Sequence, residues 1–96
     1  MILSFGNKVT EALYNGLDTK GARHLPLDMK RKTLNKLDVI NGAHDLLDLR
    51  SPPGNRLEAL RGDLSGYYSI RVNNQWRIIF RWQDGNAYEV QLTDYH

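Results

Sequence analysis

Asp94, Tyr95 and His96 close the chain, so a carboxylate, a phenol and an imidazole stand side by side at its end. These side chains are among those best suited to proton transfer. The imidazole titrates near neutrality and can work as acid or base. Its own terminal carboxylate, and Asp94 if close, would favour the protonated ring. The residues before the trio are aromatic and β-branched, which predicts a strand leading into it. Strand neighbours point opposite ways, so all three converge only if the chain turns there. The alternative is a frayed end with Tyr95 packed on the core.

Arginines form the second candidate group. Arg71 shares a strand face with Tyr67 and Ser69, and Arg77 shares one with Ile79 and Arg81. The opposite faces carry Tyr68, Ile70 and Val72, and Trp76, Ile78, Phe80 and Trp82, which read as core. An arginine face with aromatics suits RNA, because guanidinium groups fork onto phosphates and rings stack on bases. It equally suits a sheet face that the arginines merely solvate. A further basic run, Lys30, Arg31, Lys32 and Lys36, falls largely off the apolar stripe of a helix.

Other chemistries lack support. There is no Cys, and His24, His44 and His96 show no HxxxH spacing. A zinc site is therefore not expected, and a reducing cytoplasm is the natural setting. No P-loop, GxGxxG or GxSxG motif occurs, and no cofactor is expected. No apolar run is long enough to span a membrane, and the N-terminus lacks the form of a signal peptide.

The elements that must position these residues follow from periodicity and turn chemistry. The 96 residues, 25% charged and 41% hydrophobic, suit one folded domain over 1–96. Ile2, Leu3 and Phe5 suggest a short strand. Asn7 caps a helix over 8–14 that Gly16 ends, and 18–25 reads as loop. Asp28 opens a second helix with Met29, Leu34, Leu37 and Ile40 as its stripe, stopped at Asn41-Gly42. One helical turn is expected over 45–49, then an irregular loop at Ser51-Pro52-Pro53-Gly54-Asn55. Strands follow over 57–60, 67–72, 75–82 and 87–93, with Asp84-Gly85-Asn86 as a hairpin turn. The fold class is α+β: two N-terminal helices packed on a C-terminal antiparallel sheet.

In order along the chain stand Asp48-Leu49-Arg50-Ser51-Pro52-Pro53-Gly54-Asn55-Arg56-Leu57, Leu60-Arg61-Gly62-Asp63, Gly66-Tyr67-Tyr68-Ser69-Ile70-Arg71-Val72-Asn73, Gln75-Trp76-Arg77-Ile78-Ile79-Phe80 and Asp94-Tyr95-His96. With them the whole chain resembles the HigB-type toxins of type II toxin–antitoxin systems, within the RelE/ParE superfamily. The resemblance is weaker through the helices.

It implies a RelE-like microbial ribonuclease fold and a ribosome-dependent mRNA endonuclease. Cleavage would be metal-free: the 2′-OH attacks the adjacent phosphate and leaves a 2′,3′-cyclic phosphate and a 5′-OH. Asp94, Tyr95, His96, Arg61 and Arg77 become the catalytic candidates, and Arg71, Tyr67, Arg56 and Glu58 the RNA-binding ones. Arg61 stands where the family commonly has Lys, and Arg is not deprotonated, so it can serve only as a cation or orienter. Glu58 stands where some members have His; a replacement base and a strand surface residue are both open readings. The implied partners are a HigA-like helix-turn-helix antitoxin, mRNA with ribosomal RNA, and operator DNA through the antitoxin complex. Two other functions stay open: a non-catalytic toxin binding DNA gyrase, and a weakened toxin acting mainly as corepressor.

Overall fold

The computed structural model describes residues 1–17 and 19–94. Helices α1 (Lys8–Tyr14), α2 (Lys20–Arg23) and α3 (Leu27–Gly42) come first. Strands β1 (Glu58–Ala59), β2 (Tyr68–Arg71), β3 (Trp76–Gln83) and β4 (Asn86–Asp94) follow and pair antiparallel in that order. Expectation and structure agree on the α+β class and on the helix-then-sheet arrangement. The loop expected over 18–25 contains one extra turn of helix, α2, capped by the Thr19 hydroxyl.

Local chemistry accounts for the element ends. The Asn7 side chain accepts from the Thr10 amide at 2.9 Å and starts α1. The buried Thr10 hydroxyl accepts from the Leu92 amide at 2.8 Å, which ties α1 to β4. In α3 the buried stripe is Met29, Thr33, Leu37 and Ile40, and the expected Leu34 is half-buried against the same core. The Asn41 side chain accepts from the Ile2 amide at 2.9 Å and holds the N-terminal segment against α3. That segment joins β4 through parallel bridges at Ile2–Ala87 and Phe5–Val90, a looser contact than the strand expected there.

The core lies between helices and sheet. Phe80, Ile78, Ile70, Val90, Leu37, Ile40 and Leu49 are fully buried in it. Tyr68 and Trp82 pack on Phe80, with ring centroids 6.2 and 6.4 Å away. Trp76 is half-buried against the same cluster.

Between α3 and the sheet, Asp45 caps a 3₁₀ turn, Leu46–Arg50, and Asp48 closes a reciprocal capping box with it. A second 3₁₀ turn, Pro53–Asn55, follows a cis Ser51–Pro52 bond. At its end Asn55 is fully buried. Its amide donates to the carbonyls of Leu49 at 3.2 Å and Ser51 at 3.1 Å, and its oxygen accepts from the Lys36 ammonium. One polar side chain thus joins α3 to the loop that leads into β1.

The β3–β4 hairpin turns through Asp84 and Gly85, both at positive φ (52° and 79°), the two-residue geometry that matches strand twist. Further along, the register slips by one. Arg81 pairs with Tyr88, but Ile79 pairs with Gln91, and Glu89 takes φ 52° in the resulting bulge. An unbroken period of two would put Ala87 on one face and Val90 and Leu92 on the other. The bulge brings all three to the core, where they are buried.

Candidate active site

The sheet face away from the helices carries the candidate groove, about 190 Å³, lined by Arg56, Glu58, Ser69, Arg71, Asn74 and Arg77. Register explains the gathering. Glu58 pairs with Ser69, Ser69 with Ile79, and Arg71 with Arg77, so these side chains share one face. The centre of this face is filled. Ser69 and Ile79 are only 4% and 3% exposed, so the short serine makes a floor between longer walls.

Each wall has its own support. Arg71 donates from Nε to the Asn73 carbonyl at 3.1 Å and from Nη2 to the Asn74 side chain. The β2–β3 turn therefore fixes the direction of its guanidinium. Arg56 follows Asn55 and sits in the left-handed region (φ 47°, ψ 56°), unusual for a residue with a side chain. Its amide donates to the Pro53 carbonyl at 3.1 Å. Local strain of this kind persists only where the surroundings dictate it, and it concentrates at binding and catalytic sites. Here the residue before it, Asn55, is fully buried, and the Arg56 amide closes the 3₁₀ turn on Pro53.

The charges that line the groove would suit an anion. Arg71 and Arg77 are direct cross-strand partners, and like charges in that position destabilise a sheet. Arg56 adds a third cation, and among the described residues Glu58 is the one carboxylate that lines the groove. A phosphate bridging the guanidiniums would offset their repulsion with charge-assisted hydrogen bonds.

The other sequence candidates fall elsewhere. Arg61 is exposed at the start of the Gly62–Leu64 turn and does not line the groove. Tyr67 shares the face but belongs to a separate cluster. Its hydroxyl donates to Glu89 Oε1 at 3.0 Å, and the Arg81 guanidinium lies 4.3 Å from its ring centroid. Arg81 Nε meets Glu89 Oε2 at 2.8 Å. The Arg81 pKa is raised, chiefly by Tyr67 and then by Glu89. Asp94 pairs with Trp76, which the pleat places on the helix side, and its carboxylate accepts from Gln75 Nε2 at 3.4 Å. Tyr95 and His96 lie outside the described residues.

Ser69 and Asn74 line the groove although neither was singled out as a site residue. Ser69 was legible because it shares a strand face with Arg71, whereas nothing in the sequence pairs Asn74 with an arginine. No group of three or more His, Asp or Glu residues able to hold a metal occurs among the described residues. No helix there is long and apolar enough to cross a membrane.

Known structures share this architecture. A chain of the YoeB–YefM complex from Staphylococcus aureus superposes with a TM-score of 0.62 at 19% identity, covering 100% of this chain and 98% of that one. YafQ from Escherichia coli gives 0.53 at 16% identity, over 92% and 87%. At such identities the likeness defines the fold alone. Sequence defines the family. The model of the RelE-like toxin of the type II toxin–antitoxin system HigB matches residues 3–96. Toxin HigB-1 of Vibrio cholerae is 44% identical over 92 residues, 96% of this chain and 95% of that protein. Endoribonuclease HigB of Proteus vulgaris is 33% identical over 96 residues, the full length of both. The chain belongs to the HigB-like family of type II toxins.

Proposed function

We propose that this protein is an endoribonuclease that cuts mRNA on the ribosome, with Glu58 and the arginine groove as the centre of its chemistry. The observation that carries the reading is the pairing of Arg71 opposite Arg77 beside the Glu58 carboxylate. The activity named for the Proteus vulgaris relative agrees with it.

The reaction needs three things. A base takes the 2′-OH proton, a cation cluster stabilises the dianionic phosphorane, and an acid protonates the 5′-oxygen that leaves. Glu58, projecting from β1 into the groove, is the proton acceptor. Arg71 and Arg77, with Arg56 at the rim, hold the non-bridging oxygens as charge grows on them. The 2′-oxygen bonds to phosphorus, the P–O5′ bond breaks, and a 2′,3′-cyclic phosphate and a 5′-OH result. No metal enters these steps. His96 and Tyr95 are the candidates for the acid. Asp94, on the opposite face, is a positioning residue for the strand end that carries them. Tyr67, clamped by Arg81 and Glu89, and Arg61 extend the RNA-facing surface beyond the groove. Messenger RNA is the substrate, ribosomal RNA is a docking partner, and a helix-turn-helix antitoxin is the inhibitor through which the complex meets operator DNA.

Glu58→Gln tests the assignment, because it keeps size and polarity and removes the base. Cleavage of translated mRNA should fall at least about 100-fold, the scale of general base catalysis. RNA affinity should stay within about threefold. Full cleavage by the variant would remove Glu58 from the chemistry.

A further inference from the structure

On the far side of the molecule, between α1, α2 and the first half of α3, lies a second groove of about 280 Å³ that the RNA chemistry does not use. Leu13, Leu17, Leu27 and Leu34 give it apolar walls, with Lys30 and Arg31 on its rim. Leu17 and Leu27 are 58% and 64% exposed, among the most exposed large apolar side chains described. The positions are patterned. In α3, residues 27, 30, 31 and 34 follow the i, i+3, i+4, i+7 rule, so they form a stripe of their own. It is separate from the buried stripe of Met29, Thr33, Leu37 and Ile40. A helix with one stripe in the core and beside it a second stripe, running from half-buried Leu34 to exposed Leu27, has a partner to meet.

Charge says what kind. From residue 20 to residue 36 the chain carries Lys20, Arg23, Lys30, Arg31, Lys32 and Lys36 against one carboxylate, Asp28. Asp28 is itself 3.8 Å from the Lys32 ammonium. Leucine walls with a cationic rim fit an amphipathic helix with apolar anchors and flanking Asp or Glu. RNA would use the cations but leave the leucines wet.

We infer that this groove is the docking site for an acidic amphipathic helix of the antitoxin, remote from the active-site groove. The inference rests on membership of a toxin–antitoxin family and not on the nuclease chemistry. The antitoxin can therefore hold the toxin here without filling the arginine groove.

The test uses the full-length toxin and the antitoxin encoded beside it, with affinity measured by titration calorimetry. Leu27→Asp buries an unpaired carboxylate only in the complex and should weaken binding at least 30-fold. Lys30→Glu with Arg31→Glu should weaken it at least 10-fold. An antitoxin with the facing carboxylates changed to Lys should recover most of that second loss. Ribonuclease activity of the free toxin should be unchanged in every variant, and circular dichroism confirms that each is folded. Antitoxin affinity within twofold of wild type in both variants would overturn the inference. So would affinity for ribosomal RNA that falls while antitoxin binding holds, an outcome that assigns the groove to RNA. Neither result bears on Glu58, so the docking inference and the nuclease reading fail independently.

Discussion

Asn55→Ala should weaken the whole molecule far more than a loop substitution ordinarily does. The side chain is fully buried and takes part in three hydrogen bonds. Its loss affects three partners differently. The Leu49 carbonyl is buried, and leaving it unmet costs about 2 kcal/mol. The Ser51 carbonyl belongs to an exposed residue, so water replaces the bond at a net cost of about 1 kcal/mol. The Lys36 ammonium is half-buried and rehydrates in part, for about 1 kcal/mol more. The sum is about 4 kcal/mol, against a total stability of about 5–15 kcal/mol for a domain of this size. At about 4–8 °C per kcal/mol, the melting temperature should fall by about 15–30 °C. Urea unfolding followed by Trp76 and Trp82 fluorescence measures this, since both rings pack on the core. Leu47→Ala in the preceding turn, at 59% exposure, is the control and should change stability by less than about 0.5 kcal/mol. A loss below about 1 kcal/mol in Asn55→Ala would refute the claim that this side chain joins α3 to the loop before β1.

Three further outcomes follow from single residues. Thr33→Val should stabilise by about 1 kcal/mol in thermal melts, because the fully buried hydroxyl has no hydrogen-bond partner among the described residues. Arg56→Gly should keep or raise stability by up to about 1 kcal/mol, since glycine accepts φ 47° freely. The same change should lower RNA affinity about 10-fold in filter binding, which separates the strained backbone from the charge it presents. Arg71→Lys should cost cleavage about 10-fold or more in single-turnover assays, because a lysine cannot reproduce the fork that the Asn73–Asn74 turn aims.

What was legible in the sequence was what local chemistry decides. Asn7 and Gly16 bracket α1, and its observed span, Lys8–Tyr14, matches the expected one. Asp84-Gly85 announced the hairpin for the same reason. The four-residue helix α2 was hidden, because so short a helix is set by packing rather than by propensity. The arginine face was legible from alternation, but its division into a groove and a Tyr67–Arg81–Glu89 cluster depends on where each strand begins and ends. Asp94 is the instructive position. Counting back from the hairpin turn puts it on the arginine face; the one-residue bulge at Glu89 moves it to the face of Trp76. A signal existed: the three-residue spacing from Ala87 to Val90 breaks the period of two. Asn55, in a Pro-Pro-Gly-Asn segment that reads as open loop, gave no local sign of burial.

The central claim is that Glu58 and the arginine groove cut translated mRNA by 2′-OH attack. The measurement that tests it most directly is a map of mRNA 5′ ends in bacteria expressing the wild type or Glu58→Gln. The map is made with and without kinase treatment, on a message present in translated and untranslated copies. The account predicts new ends in the translated copy alone, captured only after kinase supplies the missing 5′-phosphate, and absent in the variant. New ends that already carry a 5′-phosphate, or growth arrest with intact mRNA, would contradict it.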